Sequence, residues 1–195
     1  MTAATKLCNA AITLCALLAW YAPASLADPD QRQDIEITVE IVGDEVHVDA
    51  SLFIPATPEE VWAVVIDYDH ATEFITDLQS SYVISRSGDT LQIMQKGQMR
   101  VGPFTLPVET LREVQLIPFT EVRSRLISGN MKMLVTTTQL VAEEGGTRIV
   151  NHAESIPDFW IPPFIGKFFI RREAKDKFLQ LRDEILRRKQ AAQAR

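Results

Sequence analysis

Apolar and polar residues alternate along much of the chain, which is the pattern of β-strands that are buried on one face. The first such segment covers residues 34–42, with isoleucine or valine at every second position. The alternation resumes at residues 46–54, after the turn-forming pair Gly43 and Asp44. Two strands separated by so short a turn predict a β-hairpin.

Six further segments alternate in the same way, and turns that contain glycine or proline separate most of them. They predict strands at residues 81–86, 90–96, 104–115, 121–128, 132–141 and 147–156. Successive strands joined by short turns form an antiparallel meander. Pro107 lies inside the third of these segments, where we expect a sheet edge or a β-bulge because proline has no N–H to donate.

A short helix is predicted between the hairpin and the meander. Thr57 is placed as its N-cap, Pro58 as its first helical residue and Glu60 as the third, which together form a capping box. The residues expected to be buried on this helix are Val61, Trp62, Val64 and Val65. Residues 67–72 interrupt the pattern, and a second short helix is predicted at residues 71–75.

The longest helical pattern is at the end of the chain, where two prolines precede a predicted helix over residues 164–189. Its apolar side chains recur on a broad stripe that is typical of a helix packed against a core. These side chains are Phe164, Ile165, Phe168, Phe169, Ala174, Phe178, Leu181 and Ile185. No internal repeat or low-complexity linker interrupts the chain, so we predict a single domain over residues 28–195.

The N-terminal segment, residues 1–27, has the pattern of a secretory signal. A short start with one lysine precedes an apolar run over residues 7–22, and small residues lead to the expected cleavage after Ala27. An uncleaved membrane anchor is the alternative, although the run is shorter than the ~20 residues that a spanning helix needs. Cys8 and Cys15 lie in this segment, so cleavage leaves no cysteine for disulfides, thiolate catalysis or cysteine-ligated zinc.

Composition is that of an ordinary globular protein, with 195 residues of which 46% are apolar, and a net charge of −6. The charge is unevenly distributed, because residues 28–159 carry a net charge of −13 and residues 160–195 carry +6. An acidic body repels phosphate, so we expect no nucleic-acid partner.

The segment at residues 52–81 resembles the opening of the polyketide cyclase/dehydrase and coenzyme-Q-binding family within the START-like (SRPBCC) superfamily. The matching residues are Ile54, Ala56, Glu60, Val61, Trp62, Asp67, Tyr68, Phe74, Asp77 and Leu78. Thr76 replaces the proline that is usual in this family. Residues 157–188 resemble the exit from the last strand and the final helix of the same family, so the likeness covers roughly residues 46–190.

The resemblance implies an α+β, helix-grip fold, in which a curved antiparallel sheet wraps around a long C-terminal helix. It also implies an apolar cavity between the sheet and this helix, where a hydrophobic molecule is bound by burial. With the strand turns aligned by resemblance, alternate residues of three strands face this cavity. They are Val122, Ser124, Leu126, Leu134, Thr136, Thr138, Leu140, Ile149, Asn151, Ala153 and Ser155.

The small and polar members of this face indicate space for a ligand, because a filled core has larger apolar groups there. The alternative is that the face is assigned one residue out of register. A second candidate is the apolar cluster around the two prolines, interpreted either as a cavity mouth or as packing of the helix start. The candidate ligand-binding residues are Phe74, Ser124, Leu134, Thr136, Thr138, Asn151, Ala153, Phe159, Trp160, Phe164, Ile165 and Phe168.

Metal and catalytic signatures are not apparent in the sequence. His47, His70 and His152 have no metal-ligand spacing, and the group of Asp67, Asp69 and His70 is better explained by a helix break. We therefore predict no metal, no cofactor and no assigned catalytic residue. Side chains that are able in principle to do acid–base work on a buried substrate are Glu109, Arg123, Arg125 and His152.

Basic residues on the final helix suggest a contact with anionic lipid headgroups. Lys167, Arg171 and Arg172 are the candidates, since no acidic partner at helical spacing is assigned to them. The alternative is a solvated helix with i,i+4 ion pairs. Three such pairs are expected, namely Glu173 with Lys177, Asp183 with Arg187, and Glu184 with Arg188.

These observations favour an exported, periplasmic protein that binds or transports a hydrophobic molecule, a lipid or a quinone, in its cavity. Binding by burial needs no catalytic group, so we expect a carrier rather than an enzyme. A cyclase/dehydratase-like enzyme that uses the same cavity is the first alternative. A protein-interaction module is the second.

Overall fold

The computed structural model describes residues 35–101, 104–159, 161 and 163–194. Within these residues, eight strands form one antiparallel sheet in the order β1-β2-β8-β7-β6-β5-β4-β3. The strands are β1 (Ile35–Val42), β2 (Glu45–Ile54), β3 (Leu78–Ser87), β4 (Thr90–Val101), β5 (Phe104–Ile117), β6 (Glu121–Gly129), β7 (Met131–Glu143) and β8 (Gly146–Pro157). The helices are α1 (Pro58–Val65), a 3₁₀ helix (Tyr68–Glu73) and α2 (Pro163–Gln193). The hairpin, the meander and the helix-grip fold are confirmed.

The last strand of the meander, β8, pairs with the second strand of the hairpin rather than with the first. β2 pairs with β1 on one side and with β8 on the other, so that Val48 faces both Val39 and Ala153. This pairing places the hairpin beside the end of the meander and leaves β1 and β3 at the two edges. Register shifts place β-bulges in β3, β6 and β7, which increase the twist of the sheet.

Pro107 occupies a part of β5 that has no partner on one side, as expected for an edge. The ladder between β5 and β6 begins only at Thr110, which pairs with Gly129. Beyond that point the Asn130 side chain supplies hydrogen bonds that a neighbouring strand would otherwise make. It donates to the Pro107 carbonyl at 2.7 Å and accepts from the Glu109 N–H at 2.8 Å. Gly129 permits this approach, since its φ is 148° and a Cβ there would lie 2.1 Å from the Glu109 carbonyl oxygen.

Helix α1 begins with the predicted capping box. The Thr57 hydroxyl accepts from the Glu60 N–H at 3.3 Å, and the Glu60 carboxylate accepts from the Thr57 N–H at 2.8 Å. The helix predicted at residues 71–75 is instead a 3₁₀ helix over Tyr68–Glu73. The Asp69 carboxylate, on its second residue, accepts from the Val83 N–H of β3 at 2.8 Å and ties the segment to the sheet.

Helix α2 packs its apolar stripe against the sheet, but the first turn of this stripe differs from the prediction. Ile165 and Phe168 are 47% and 63% exposed, whereas Gly166 and Ile170 are buried. A Cβ on Gly166 would lie 2.3 Å from Ile161, so glycine lets the helix approach this residue closely. The buried positions then continue along the helix at a spacing of about 3.6 residues. The sequence did not reveal this phase, because nearly every residue of the first turn is apolar.

Ion pairs fix the C-terminal half of α2 to the end of α1. Arg188 binds the Asp67 carboxylate at 2.7 Å and the Glu184 carboxylate at 2.6 Å. Arg187 also binds Glu184, at 2.7 Å, rather than its predicted partner Asp183. These two guanidinium groups hold the pKa of Glu184 at about 2, so α2 keeps this anchor well below neutral pH.

Residues 1–27, which are predicted to be a signal segment, lie outside the described residues. Among the residues that are described, no helix is both long and apolar enough to cross a membrane.

Candidate functional site

A cavity of about 480 Å³ lies between α2 and the concave face of the sheet. Strands β2, β4, β5, β7 and β8 form its floor and walls, and the 3₁₀ helix and α2 cover it. Most of the lining is apolar, with valine, leucine, isoleucine, methionine and phenylalanine side chains. The volume is in the range that holds a drug-sized or lipid-like molecule.

Five of the twelve predicted ligand-binding residues line this cavity: Phe74, Leu134, Thr136, Asn151 and Ala153. The pairing of the strands explains why they meet. Thr136 of β7 lies opposite Ala153 of β8, and Leu134 lies opposite Ser155, so one face of both strands points to the same space. Their contact with a ligand stays a prediction.

Two further predicted residues lie on the inner face without lining the cavity. Ser124 is buried and accepts hydrogen bonds from Arg112 at 3.3 Å and from Thr136 at 3.1 Å. The Thr138 hydroxyl accepts from the Asn151 side-chain amide at 2.8 Å. Both side chains therefore orient residues of the cavity wall.

The predicted cavity mouth is only partly described. Trp160 lies outside the described residues, and so does the side chain of Phe164. Phe159 is half-buried and is not among the cavity-lining residues. Ile165 and Phe168 project into solvent, as noted for the first turn of α2, and do not line the cavity. Their neighbours Ile161 and Ile170 line it instead.

Arg112 of β5 is a functional candidate that the sequence interpretation missed. Its guanidinium lines the cavity, donates to Gln95 and Ser124, and leaves the buried Nε–H without a partner. Burial lowers the pKa of Arg112, although an arginine stays charged at neutral pH. A charged residue at an inward position of an otherwise alternating strand is the signal that would have identified it.

The other charged residues of the cavity lining differ from Arg112 because each has an opposite charge beside it. Asp67 pairs with Arg188 at 2.7 Å, and Glu173 pairs with Lys177 at 3.4 Å. In the part of the chain that the structure describes, no carboxylate forms an ion pair with Arg112. Arg112 is therefore a positive charge of the cavity that no described carboxylate neutralises.

Two acidic groups of the lining have a raised pKa. Burial raises the pKa of the Tyr68 phenol, which Arg112 opposes. Burial also raises the pKa of Glu173, and Asp77 adds to this effect.

Thr76 connects the segment before β3 to α2 at the side of the cavity. Its backbone N–H donates to the Gln180 side chain at 2.9 Å. The proline that is usual at this position in the resembling family has no N–H, so Thr76 adds a tie between this segment and α2.

The candidate acid–base residues lie outside the cavity. Glu109 pairs with Lys96 at 3.0 Å, and Arg125 pairs with Glu113 at 2.8 Å, on the outer face of the sheet. Arg123 pairs with Glu121, and its side chain is largely exposed. His152, on the outer face of β8, lies 6.5 Å from His47 between ring centroids. None of these side chains lines the cavity.

The three candidate membrane-contact residues have different surroundings. Lys167 is exposed, and Arg171 donates to the Ile37 carbonyl of β1 at 2.7 Å. Arg172 lies 4.0 Å from the Asp176 carboxylate, so the expectation that it has no acidic partner is wrong. The predicted pairs of Glu173 with Lys177 and of Glu184 with Arg188 are present.

Comparison with known proteins gives one family and many similar folds. The sequence profile described as "Polyketide cyclase / dehydrase and lipid transport" matches residues 54–178. Among curated protein sequences, none is significantly similar to the chain.

Solved structures with a similar fold include proteins of both kinds in that description. The Zhui aromatase/cyclase of Streptomyces sp. R1128 has 12% identity and a TM-score of 0.64, over 76% of this chain and 98% of that one. A STAR-related lipid transfer protein of Xanthomonas axonopodis has 13% identity and a TM-score of 0.64, over 78% and 94%. A protein of Thermus thermophilus has 21% identity and a TM-score of 0.59, over 72% and 97%. At these identities the likeness shows the fold alone.

Proposed function

Because this chain belongs to the polyketide cyclase/dehydrase and lipid transport family, we propose that it is an exported carrier of a hydrophobic molecule, a lipid or a quinone. The observation that carries the proposal is the apolar cavity of about 480 Å³ under α2. Burying about 400 Å² of an acyl or isoprenoid chain contributes roughly 10 kcal/mol before the cost of association. This is enough for tight binding without a catalytic group.

The unneutralised guanidinium of Arg112 supports a ligand with an oxygen-rich polar end. A carboxylate or phosphate would accept from the free Nε–H and supply the missing counter-charge. A quinone carbonyl would accept the hydrogen bond but leave the charge unneutralised. We therefore place an acidic amphiphile before a neutral quinone among the candidate cargoes, with its apolar chain along the side of α2.

The start of α2 supports an exchange of cargo at a membrane surface. Exposed Ile165 and Phe168 stand beside the exposed cation of Lys167, while Ile161 and Ile170 line the cavity. Apolar side chains that enter the headgroup region next to a lysine bind anionic bilayers. In this proposal the patch of Ile165, Lys167 and Phe168 binds the bilayer and so holds the cavity next to the membrane surface.

Replacing Phe168 by serine or Lys167 by glutamate is expected to lower binding to phosphatidylglycerol-containing vesicles by about 5-fold or more. Co-sedimentation with vesicles measures the change. Arg86→Glu, at the far edge of the sheet in β3, makes the same charge change as Lys167→Glu and should have little effect. Equal loss in Lys167→Glu and Arg86→Glu would contradict a local patch and indicate a general charge effect.

Native mass spectrometry of the protein purified from its own periplasm, followed by organic extraction, tests the carrier function. We expect a reproducible adduct whose mass is that of a hydrophobic molecule with an acidic or carbonyl end. A protein that is empty and also fails to take up fatty acids and quinones from solution would contradict the proposal. Recovery only from the cytoplasm would contradict export while leaving carriage of a ligand intact.

A cyclase/dehydratase-like enzyme is the second candidate, and the placement of Tyr68 and Arg112 in an apolar cavity favours it. A phenol whose pKa is raised by burial remains a proton donor at neutral pH, and a nearby guanidinium stabilises a developing enolate. Turnover of a polyketone substrate that is lost in Tyr68→Phe, with the fold intact, would establish this function. Binding without turnover would favour the carrier.

A further inference from the structure

Four polar side chains form a compact array on the outer face of the sheet, where β2 and β8 pair. His47 and Asp49 are on β2, and His152 and Glu154 are on β8. The register places His47 opposite Glu154 and Asp49 opposite His152. Because alternate residues of a strand share a face, all four point away from the cavity. The array lies on a paired, central part of the sheet, where the backbone positions are fixed.

The distances in this array suit the coordination of one metal ion by three ligands. A Glu154 carboxylate oxygen lies 3.1 Å from His152 Nε2 and 3.8 Å from His47 Nδ1. One donor atom from each of the three side chains lies within 4.8 Å of the other two. In a tetrahedral zinc site with bonds of about 2.0–2.1 Å, donor atoms are about 3.3 Å apart. Small side-chain rotations therefore bring all three donors to bonding distance of a shared ion.

The remaining imidazole nitrogens face carboxylates, which is the usual outer shell of a histidine–metal site. His152 Nδ1 lies 2.6 Å from an Asp49 oxygen, and His47 Nε2 lies 3.7 Å from a Glu45 oxygen. A hydrogen bond from Nδ1–H to Asp49 fixes the tautomer that presents the Nε2 lone pair of His152 to the ion. The carboxylates also orient both rings before a metal arrives.

The charge and exposure of the array favour a divalent ion that exchanges with solvent. Glu45, Asp49 and Glu154 surround the two imidazoles, and Glu40 of β1 lies opposite His47 on the same face. Side-chain exposures of 26% for His47, 48% for His152 and 39% for Glu154 leave open coordination positions for water. Imidazole and carboxylate donors suit Zn²⁺, Cu²⁺ and Ni²⁺, whereas Ca²⁺ and Mg²⁺ prefer oxygen alone.

We propose that His47, His152 and Glu154 bind a transition-metal ion, Zn²⁺ in the first place, with Asp49 and Glu45 as its outer shell. The site is independent of the cavity function, since it lies on the opposite face of the sheet. Its ligands come from β2 and β8, so a bound ion would hold these two strands together.

Isothermal titration of the chelator-treated protein, prepared without a polyhistidine tag, with ZnCl₂ at pH 7.5 tests the site. We expect one ion per chain and a dissociation constant of about 10 μM or less. His47→Ala, His152→Ala and Glu154→Gln should each weaken binding about 10-fold or more. His70→Ala removes an exposed histidine that bonds Asp67 elsewhere, and it should leave binding unchanged.

Two further measurements separate coordination from loss of structure. Co²⁺ in place of zinc should give a visible absorption band that disappears in His152→Ala, while circular dichroism remains that of the parent protein. Affinity should also fall as the pH is lowered from 7.5 to 5.5, because nitrogen ligands must be deprotonated to bind a metal ion. Absence of zinc binding, or binding that survives both His47→Ala and His152→Ala, would overturn the proposal.

Discussion

Replacing Arg112 by methionine is expected to stabilise the empty protein while weakening its hold on an acidic ligand. A buried charge with no opposite charge beside it destabilises a fold, and methionine fills a similar volume without that penalty. We expect the free energy of unfolding to rise by about 1–3 kcal/mol. Affinity for a long-chain fatty acid should fall roughly 30-fold, whereas affinity for the matching alcohol should change little. Urea denaturation and displacement of a fluorescent fatty acid measure the two effects.

Arg123→Met is the matched control for this experiment. Arg123 is on the neighbouring strand, but its side chain is 58% exposed and pairs with Glu121 on the outer face. We expect this variant to leave ligand affinity unchanged. An Arg112→Met variant that weakens acid and alcohol equally would contradict the role of Arg112 as the partner of an acidic group.

Filling the cavity with tryptophan at Ala153 is expected to abolish binding of every hydrophobic ligand, whatever its polar end. Ala153 lies on the cavity wall between Val48 and Thr136, and its small side chain leaves room that an indole would occupy. Affinity for fatty acids, alcohols and quinones should each fall about 50-fold or more, which is about 2.3 kcal/mol. Native mass spectrometry should then detect a protein without its adduct.

Val135→Trp provides the control, because Val135 is the neighbour of Thr136 on β7 and is exposed on the other face of the sheet. Both variants add a bulky indole to the same part of the molecule. Stability should change by less than about 1 kcal/mol in Ala153→Trp, since the indole enters open space. Retained binding in Ala153→Trp would place the ligand outside this cavity and contradict the proposed function.

Alternation and capping residues were sufficient to predict the strands, the first helix and their order along the chain, whereas the helix-grip arrangement was implied by the family resemblance. Each strand of an antiparallel sheet with one buried face shows its own period of two, so all eight strands could be located without knowledge of their partners. Thr57, Pro58 and Glu60 likewise mark the start of α1 through bonds within four residues. The bounds of the 3₁₀ helix differ from the prediction, and the bond from the Val83 N–H to Asp69 that ties it to β3 is a tertiary contact that local sequence does not specify.

The functional residues were harder to predict, because the contacts that their side chains make depend on which strands are neighbours. That no described carboxylate pairs with Arg112 depends on what surrounds it in three dimensions. His47 and His152 are 105 positions apart, and only the register of β2 and β8 brings them together. The exposed position of Phe168 depends on how α2 rotates about its axis, which a run of apolar residues does not specify.

The pairing of β2 with β8 also constrains the order in which the chain can fold. Ile54 pairs with Thr147 and Val46 with Ser155, so this ladder joins segments about 100 residues apart. During synthesis, β2 keeps one open edge until nearly the whole meander has been made, and only then can the sheet become continuous. A chain that has not yet completed its sheet exposes this strand edge to chaperones and to pairing with other chains. The same long-range ladder that positions the cavity wall therefore sets a late, slow step in the assembly of the molecule.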